Sequence, residues 1–529
     1  RSFLYQTRAS VNFPTFHLIP MSISYRGKYF RIYIWQGLSI ILGFLSLFIV
    51  MPSLSGNKTL FGIYSVCTSL TIFFSYADLG FISSGLKYAA EYYIRGDRKN
   101  EIRTIGFTAF IMLSMFMLIA LLFGIISIFP QILMPELEPD SENFYTARYL
   151  LILLSVSCPV IIGQRILNMI YSIRVEDYKL QRISAVGSIL KILSVFFFFG
   201  SENYLLVPYF AFVQFINLSV VLMAAFQVRK YQYSFVEFLK AIRFDRIIFD
   251  KEKGLTGASF ISILSWVLFY EFDQIAISNF VGLEAVAVYG IAFSALTFVR
   301  TFVSLLYSPY SSRYNHLIGE NDRVGLMKFV NRMLLMLSPM VVLPIVGLSM
   351  LSEPFIISWV GFNYEESSSI LSLLVFCFFP CFLSNPSSSY FIAIEKTTLL
   401  NRFNIFQPIL YWLLIFFTVG KWGVFSFAIS KGLIPIFLGI LYWYSLYRDF
   451  AKNAGQIVSL FLILKTLFLP LIVLLVLSTL VKPYMAYEYN KISLCYNLLV
   501  MGLIVLISIL VSVCCNREMY SLVKSIIRR

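Results

Sequence analysis

The sequence predicts an all-α polytopic membrane protein, and three observations carry that prediction. Of 529 residues, 59% are hydrophobic and 13% charged, about half the charged share of a soluble domain. Apolar stretches of about 20 residues, long enough for a helix to cross a bilayer, recur from end to end. The segments between them alternate between basic and acidic.

Fourteen spans follow in order: 29–52, 60–86, 103–129, 146–172, 181–200, 204–228, 257–280, 285–312, 329–351, 366–394, 400–419, 422–446, 457–481 and 491–515. The first opens behind Arg26, Lys28 and Arg31. Arg95, Arg98, Lys99 and Arg103 follow the second. Glu136, Glu138, Asp140 and Glu142 follow the third, and Glu353, Glu365 and Glu366 the ninth. The 229–256 segment holds Arg229, Lys230, Lys240, Arg243, Arg246, Lys251 and Lys253. Basic segments follow even-numbered spans, so the positive-inside rule places both termini in the cytoplasm. The net charge of +15 is therefore a matter of topology and points to no nucleic acid.

The chain also repeats. Residues 168–200 align with 388–420 without gaps: Leu180 meets Leu400, Arg182 meets Arg402, Phe196–Phe197 meets Phe416–Phe417 and Gly200 meets Gly420. Tyr64 and Ser69 of span two answer Tyr289 and Ser294 of span eight. A shift of six spans preserves orientation, which predicts two six-helix lobes related by a pseudo-two-fold axis along the membrane normal, plus two C-terminal helices. The expected organisation is 1–28, a cytoplasmic segment; 29–228, an N-lobe; 229–256, a basic linker; 257–447, a C-lobe; and 448–529, the last two spans and tail. Met21 is the expected natural start. Prolines such as Pro159, Pro339, Pro380, Pro408 and Pro435 lie within spans, where each removes a backbone hydrogen bond and permits a kink.

Charges inside the spans carry the functional argument. Arg165, Lys191, Arg300 and Lys431 oppose Asp78, Glu271 and Asp273. A charge at bilayer depth costs about 2.5–3.5 kcal/mol on insertion scales, so such a group turns toward a partner or a water-filled cavity. Bases outnumber acids by one, a bias that favours an anion. Guanidinium suits phosphate through paired planar donors, and Lys adds a point charge. Glu271 and Asp273, two positions apart on a regular helix, point about 200° away from each other. One of them is then expected to leave the cavity, and Asp273 is the expected functional one. Buried ion pairs that only hold helices together are the competing reading of the set.

Other chemistry is sparse. The seven cysteines are scattered and no His–Cys spacing suggests a metal site; Cys377 and Cys381 are expected as buried thiols. No phosphate loop or HExxH motif occurs. Tyr33, Trp35, Tyr64, Tyr289, Trp359, Tyr442, Trp443 and Tyr444 are expected mainly in interfacial belts.

Two stretches add a resemblance. One runs from Phe61-Gly62-Ile63-Tyr64 through Ala77-Asp78-Leu79-Gly80-Phe81 to Lys87-Tyr88-Ala89-Ala90-Glu91-Tyr92. The other is Tyr270-Glu271-Phe272-Asp273-Gln274-Ile275 with Val281-Gly282-Leu283-Glu284-Ala285. Both resemble Wzx-type polysaccharide flippases of the multidrug/oligosaccharidyl-lipid/polysaccharide exporter superfamily. The resemblance implies two lobes around a central cavity in a bacterial inner membrane, and a polyprenyl-pyrophosphate-linked oligosaccharide as substrate. It implies coupling to H+ or Na+, contact with membrane lipid and with other polysaccharide assembly proteins, and no cofactor. Relatives often carry a base directly after the span-seven Asp; here Gln274 stands instead.

The combined expectation is an alternating-access flippase, not an enzyme. Arg300, Lys191, Arg165 and Lys431 would bind the substrate, and Asp273, Glu271 and Asp78 would couple ions. The alternatives are a multidrug or organic-cation antiporter, which needs a carboxylate-rich cavity, and a membrane-embedded glycan polymerase or ligase, which needs large outer loops. The loop at 130–146 has only about 17 residues and is merely acidic.

Overall fold

The computed structural model describes residues 25–515, except 77–79, 175, 201–203, 229–234, 308–309, 311–313, 315–316, 318–321, 395 and 453–458. Among the described residues there is no strand; helices make up nearly all of them. Among the described residues, twelve helices are long and apolar enough to cross a membrane, or thirteen if one bent pair counts as a single span. The protein is therefore a multi-pass helical membrane protein. Met21 and Asp78 lie outside the described residues.

The first group of helices comprises α1 (Tyr25–Leu54), α2 (Lys58–Tyr76), α3 (Phe81–Ile94), α4 (Arg98–Ile126), α5 (Glu142–Ile173), α6 (Asp177–Phe198) and α7 (Leu206–Val228). Here α4 packs on α3 and α5, α1 on α6, and α7 on both α5 and α6. The sequence expects one continuous second span; instead α2 and α3 share that stretch, with Gly80 before α3. The basic stretch after α7 is not plain loop either. It contains the short α8 (Phe235–Ala241), and α9 (Arg246–Trp266) already begins inside it.

The later helices are α10 (Asp273–Phe280), α11 (Leu283–Tyr307), α12 (Arg323–Met350), α13 (Ser352–Val360), α14 (Glu365–Leu374), α15 (Cys381–Ala393), α16 (Thr397–Trp422) and α17 (Phe425–Lys452). The tenth expected span is split into α14 and α15 by a tight turn at Val375–Phe378 just before Pro380, one of the prolines expected to interrupt a helix. The last two, α18 (Leu460–Val481) and α19 (Lys491–Cys515), pack on each other and on α12. Asn497 fixes that corner, donating to Pro354 O and Ser358 Oγ, both at 3.0 Å, and to Ala486 O at 2.8 Å.

Local chemistry starts several of these helices where the polar residues fall. Asp97, Ser141, Asp245, Asp322 and Ser459 each accept a hydrogen bond from a backbone amide in the first turn of α4, α5, α9, α12 and α18, respectively. Such caps satisfy amides that have no partner within the helix. The interior holds one large apolar cluster, with Trp359, Tyr289 and Tyr411 among its largest fully buried side chains, and a smaller one around Tyr171. Leu, Val and Phe side chains on the outer faces of α4, α16, α18 and α19 are exposed, as expected for helices bathed in lipid.

The acidic-loop end is sealed by contacts between the first group of helices and the later ones. Glu136 accepts from the Leu283 amide at 2.8 Å, placing a carboxylate at the start of α11, where the helix dipole favours it. Gly282 makes this possible: its φ is 125°, and a Cβ there would lie 2.2 Å from Glu136 Oε1. Asn279 donates to Leu133 O at 3.2 Å, and Tyr364 to Ser55 O at 2.9 Å. Helix α2 crosses α11 so closely that a Cβ on Gly62 would sit 2.3 Å from Leu283 O.

Candidate substrate cavity and its buried ion pairs

The site begins with a defect in a helix. Beyond Trp266, α9 widens into a π-helical turn at Val267–Glu271, and the chain then bends by 44° into α10. Widening a turn releases backbone carbonyls from their usual partners. Two of them are used from outside: Trp412 Nε1 donates to Leu268 O at 2.9 Å, and Lys431 Nζ to Tyr270 O at 3.1 Å. The break corrects the expectation drawn from a regular helix. Glu271 and Asp273 do not diverge; both are buried, and both line a small cavity of about 110 Å3 together with Thr68, Ser69, Gln274 and Phe293.

Each carboxylate has its own cation. Lys431 Nζ donates to Asp273 Oδ2, and the two side chains are 0% and 1% exposed. Tyr289 OH donates to the same oxygen, and Tyr411 OH donates to Oδ1 at 2.7 Å. The rings of Phe269, Tyr270, Phe293 and Tyr411 lie 5.3–5.5 Å from the ammonium, within cation–π range. Arg300 Nη1 donates to Glu271 Oε1 at 3.1 Å, but the Arg300 side chain is 32% exposed. Its guanidinium also lies over Trp266, 5.8 Å from the ring centre.

Arg300 faces a large cavity of about 890 Å3. Gln36 and Ile40 of α1 form one wall; Trp266, Tyr270, Thr301 and Ser304 form another. Asn385 and Ser388 of α15, Asn404 and Gln407 of α16 and Tyr442 of α17 complete it. Most of these residues come from the parts of their helices nearer the basic loops. Among the described residues lining the cavity, Arg300 is the one charged group.

The other expected site residues scatter. Lys431 is sealed in the interior and is absent from the described lining. Lys191 on α6 bonds Asn217 of α7 at 2.5 Å and is absent from that lining too. Arg165 on α5 is half-buried and also absent from that lining. Several aromatics expected at the interfaces are interior instead. Trp359 is 1% exposed, Tyr289 holds Asp273, and Tyr442 lines the cavity. Cys377 is buried with its thiol 3.7 Å from Tyr270 OH, whereas Cys381 is half-buried; both line the cavity. Sequence reasoning missed Tyr411, Trp266 and the amide side chains, which look ordinary within apolar runs.

No protein-family model and no curated protein matches the chain. Solved structures do. Lipid II flippase MurJ in an inward closed conformation superposes with a TM-score of 0.68 at 16% identity, over 92% of this chain and 99% of that one. This chain has the MOP-superfamily fold. An inward-facing multidrug resistance MATE transporter of the MOP superfamily gives 0.61 at 16% identity, over 81% of this chain and 99% of that one. A MOP-superfamily transporter from Pyrococcus furiosus, described as having a binding pocket of reverse polarity, gives 0.51 at 13%, over 81% and 97%. At these identities the MOP fold is shared, while the cavity's side chains are this chain's own.

Proposed function

We propose that this protein is a flippase that moves a polyprenyl-pyrophosphate-linked oligosaccharide across the bacterial inner membrane for surface polysaccharide synthesis. The observation that carries the reading is the composition of the 890 Å3 cavity: one half-exposed guanidinium, side-chain amides and hydroxyls, and aromatic faces. Arg300 offers paired donors to a phosphate. Gln36, Asn385, Asn404 and Gln407 suit sugar hydroxyls, and Trp266, Tyr270 and Tyr442 suit the apolar faces of sugar rings. The MurJ-like fold supports a lipid-linked cargo.

In this reading two lobes rock about the cavity, which loads from the cytoplasmic side and opens to the other side once the Glu136–Leu283 seal parts. The polyprenyl tail stays in lipid, and H+ or Na+ supplies coupling. Lys191 and Arg165 contribute along the path, and Lys431, Asp273 and Glu271 form the framework behind Arg300. A cation antiporter is disfavoured because the nearest acid, Glu271, is already matched by Arg300.

The test is translocation of a fluorescent polyprenyl-pyrophosphate oligosaccharide in proteoliposomes. Wild-type protein is expected to move it and Arg300→Ala to fail while remaining monodisperse. Equal transport by the two proteins, or drug-cation exchange in place of glycan movement, would reject the reading.

A further inference from the structure

Glu252 is a buried carboxylate that the cavity does not use. It lies on α9 before the apolar stretch that begins at Phe260, so it belongs to the basic-loop end. Its side chain is 0% exposed. Oε2 lies 3.1 Å from Ser84 Oγ of α3, while Oε1 is buried with no hydrogen-bond partner. Ser84 Oγ is also 3.1 Å from Thr256 Oγ1 and 3.2 Å from Phe81 O.

Counting protons decides between the two forms of this acid. Ser84 has one hydroxyl proton. If Glu252 is ionised, that proton must go to Oε2; Phe81 O then loses its bond from Ser84, and Oε1 stays bare. If Glu252 is protonated, its own O–H donates to Ser84 Oγ, Ser84 donates to Phe81 O, and Thr256 still bonds Ser84. Oε1 is bare in either form, but only the ionised form leaves part of a charge without a partner, which is costly in a buried site.

We propose that Glu252 binds a proton, and that the protonated carboxyl holds α9 against α3 and so keeps the basic-loop end of the protein closed. Release sends the proton to water on that side and favours undocking. The surrounding contacts make this a joint that opens as a unit. Phe249 stacks on Phe81 at 6.3 Å, and Tyr88 OH bonds Lys251 O at 3.3 Å. Lys251 reaches Tyr92 OH at 3.1 Å, and Arg103 pairs with Asp245 at the start of α9. Lys87 and Glu91 are the other charged groups of α3. The far end of α9 carries Trp266 into the cavity, so undocking moves a cavity wall.

Burial raises the Glu252 carboxyl from 4.5 to about 7, with the Ser84 bond and the Lys251 charge opposing. The docked state thus holds the proton more tightly than an ordinary glutamate does. Docking is favoured at low pH and weakens as pH rises through about 7. The step rests on the transporter reading only for its consequence, access to the cavity; docking is measured without substrate, so either idea can fail alone.

The experiment is pulsed electron spin resonance on full-length protein in nanodiscs. Labels go on Arg95→Cys and Lys253→Cys, with Cys495, Cys514 and Cys515 replaced by Ser. The short-distance population is expected to fall between pH 5.5 and 8.5 with a midpoint near about 7. Glu252→Gln should remain docked across the range, and Ser84→Ala, which removes the group that the protonated carboxyl bonds, should lower the docked population at pH 5.5. A wild-type distance distribution that does not change with pH overturns the proposal, as does an unchanged titration in Glu252→Gln. If Glu252→Gln does not fold, the wild-type and Ser84→Ala titrations decide.

Discussion

Lys431 donates to Asp273 in the interior of the helix bundle, with both side chains sealed from solvent and two tyrosine hydroxyls completing the carboxylate's shell. The pair ties α17 to the broken helix at its bend. Beside it, Arg300 meets Glu271 but keeps one side open to the cavity. The two pairs are chemically alike, yet one is suited to architecture and the other to a ligand.

For the sealed pair, removing one partner leaves the other charge buried. Asp273→Asn or Lys431→Met alone should destabilise the fold by about 3–5 kcal/mol, and the double variant by clearly less than the sum. Unfolding midpoints in detergent measure this. Strict additivity would show that the two groups are not coupled.

For the open pair, the expected effects concern binding. Arg300→Ala should weaken affinity for a pyrophosphate-linked glycan by about 10- to 100-fold, from about 1.5–3 kcal/mol for bonds to a charged group. Glu271→Gln keeps a hydrogen-bond acceptor for Arg300 but removes the competing charge, so it should tighten binding. Thermophoresis with a labelled ligand reads both; weaker binding by Glu271→Gln would contradict the assignment.

The pH dependence of stability follows from Glu252. Its folded pKa, about 7, lies above the ordinary 4.5, so the folded state binds the extra proton. Stability is fully present below the lower value and declines as pH rises through the upper one. Glu252→Gln should therefore raise the thermal midpoint at pH 8 and have little effect near pH 4.5. A constant difference between the two proteins across that interval would count against a titrating Glu252.

The acidic-loop seal gives a steric prediction. A Cβ on Gly62 would fall 2.3 Å from a backbone oxygen, which cannot swing aside as a flexible side chain can. Gly62→Ala should cost about 1–3 kcal/mol through overpacking. It should also make a thiol at Ser55→Cys more reactive, because the helices carrying Gly62 and Leu283 must separate. Unchanged stability and thiol reactivity would mean that the crossing has slack.

Helical class, the approximate spans and the alternation of loop charge were legible because each depends on local composition and the bilayer's fixed thickness. Asp97, Ser141 and Ser459 mark helix starts for the same reason: a cap acts within one turn. Depth was legible too, since it is only a count of residues along an axis. That count singled out Arg300, Lys431, Glu271 and Asp273, which the structure joins in two ion pairs. It could not give the direction in which a side chain points. Lys191 and Arg300 are both deep, but one turns to Asn217 and the other to the cavity.

What the sequence determined by itself was therefore a helical, multi-span chain with more positive than negative charge at depth. The tertiary structure decided how those charges divide. The π-helical turn at Val267–Glu271 brings Glu271 and Asp273 to one small cavity, and the helices carrying Arg300 and Lys431 arrive from different directions to claim one carboxylate each. Azimuth and partner choice depend on how helices remote in sequence pack around a local break, and nothing within the broken segment alone encodes that packing.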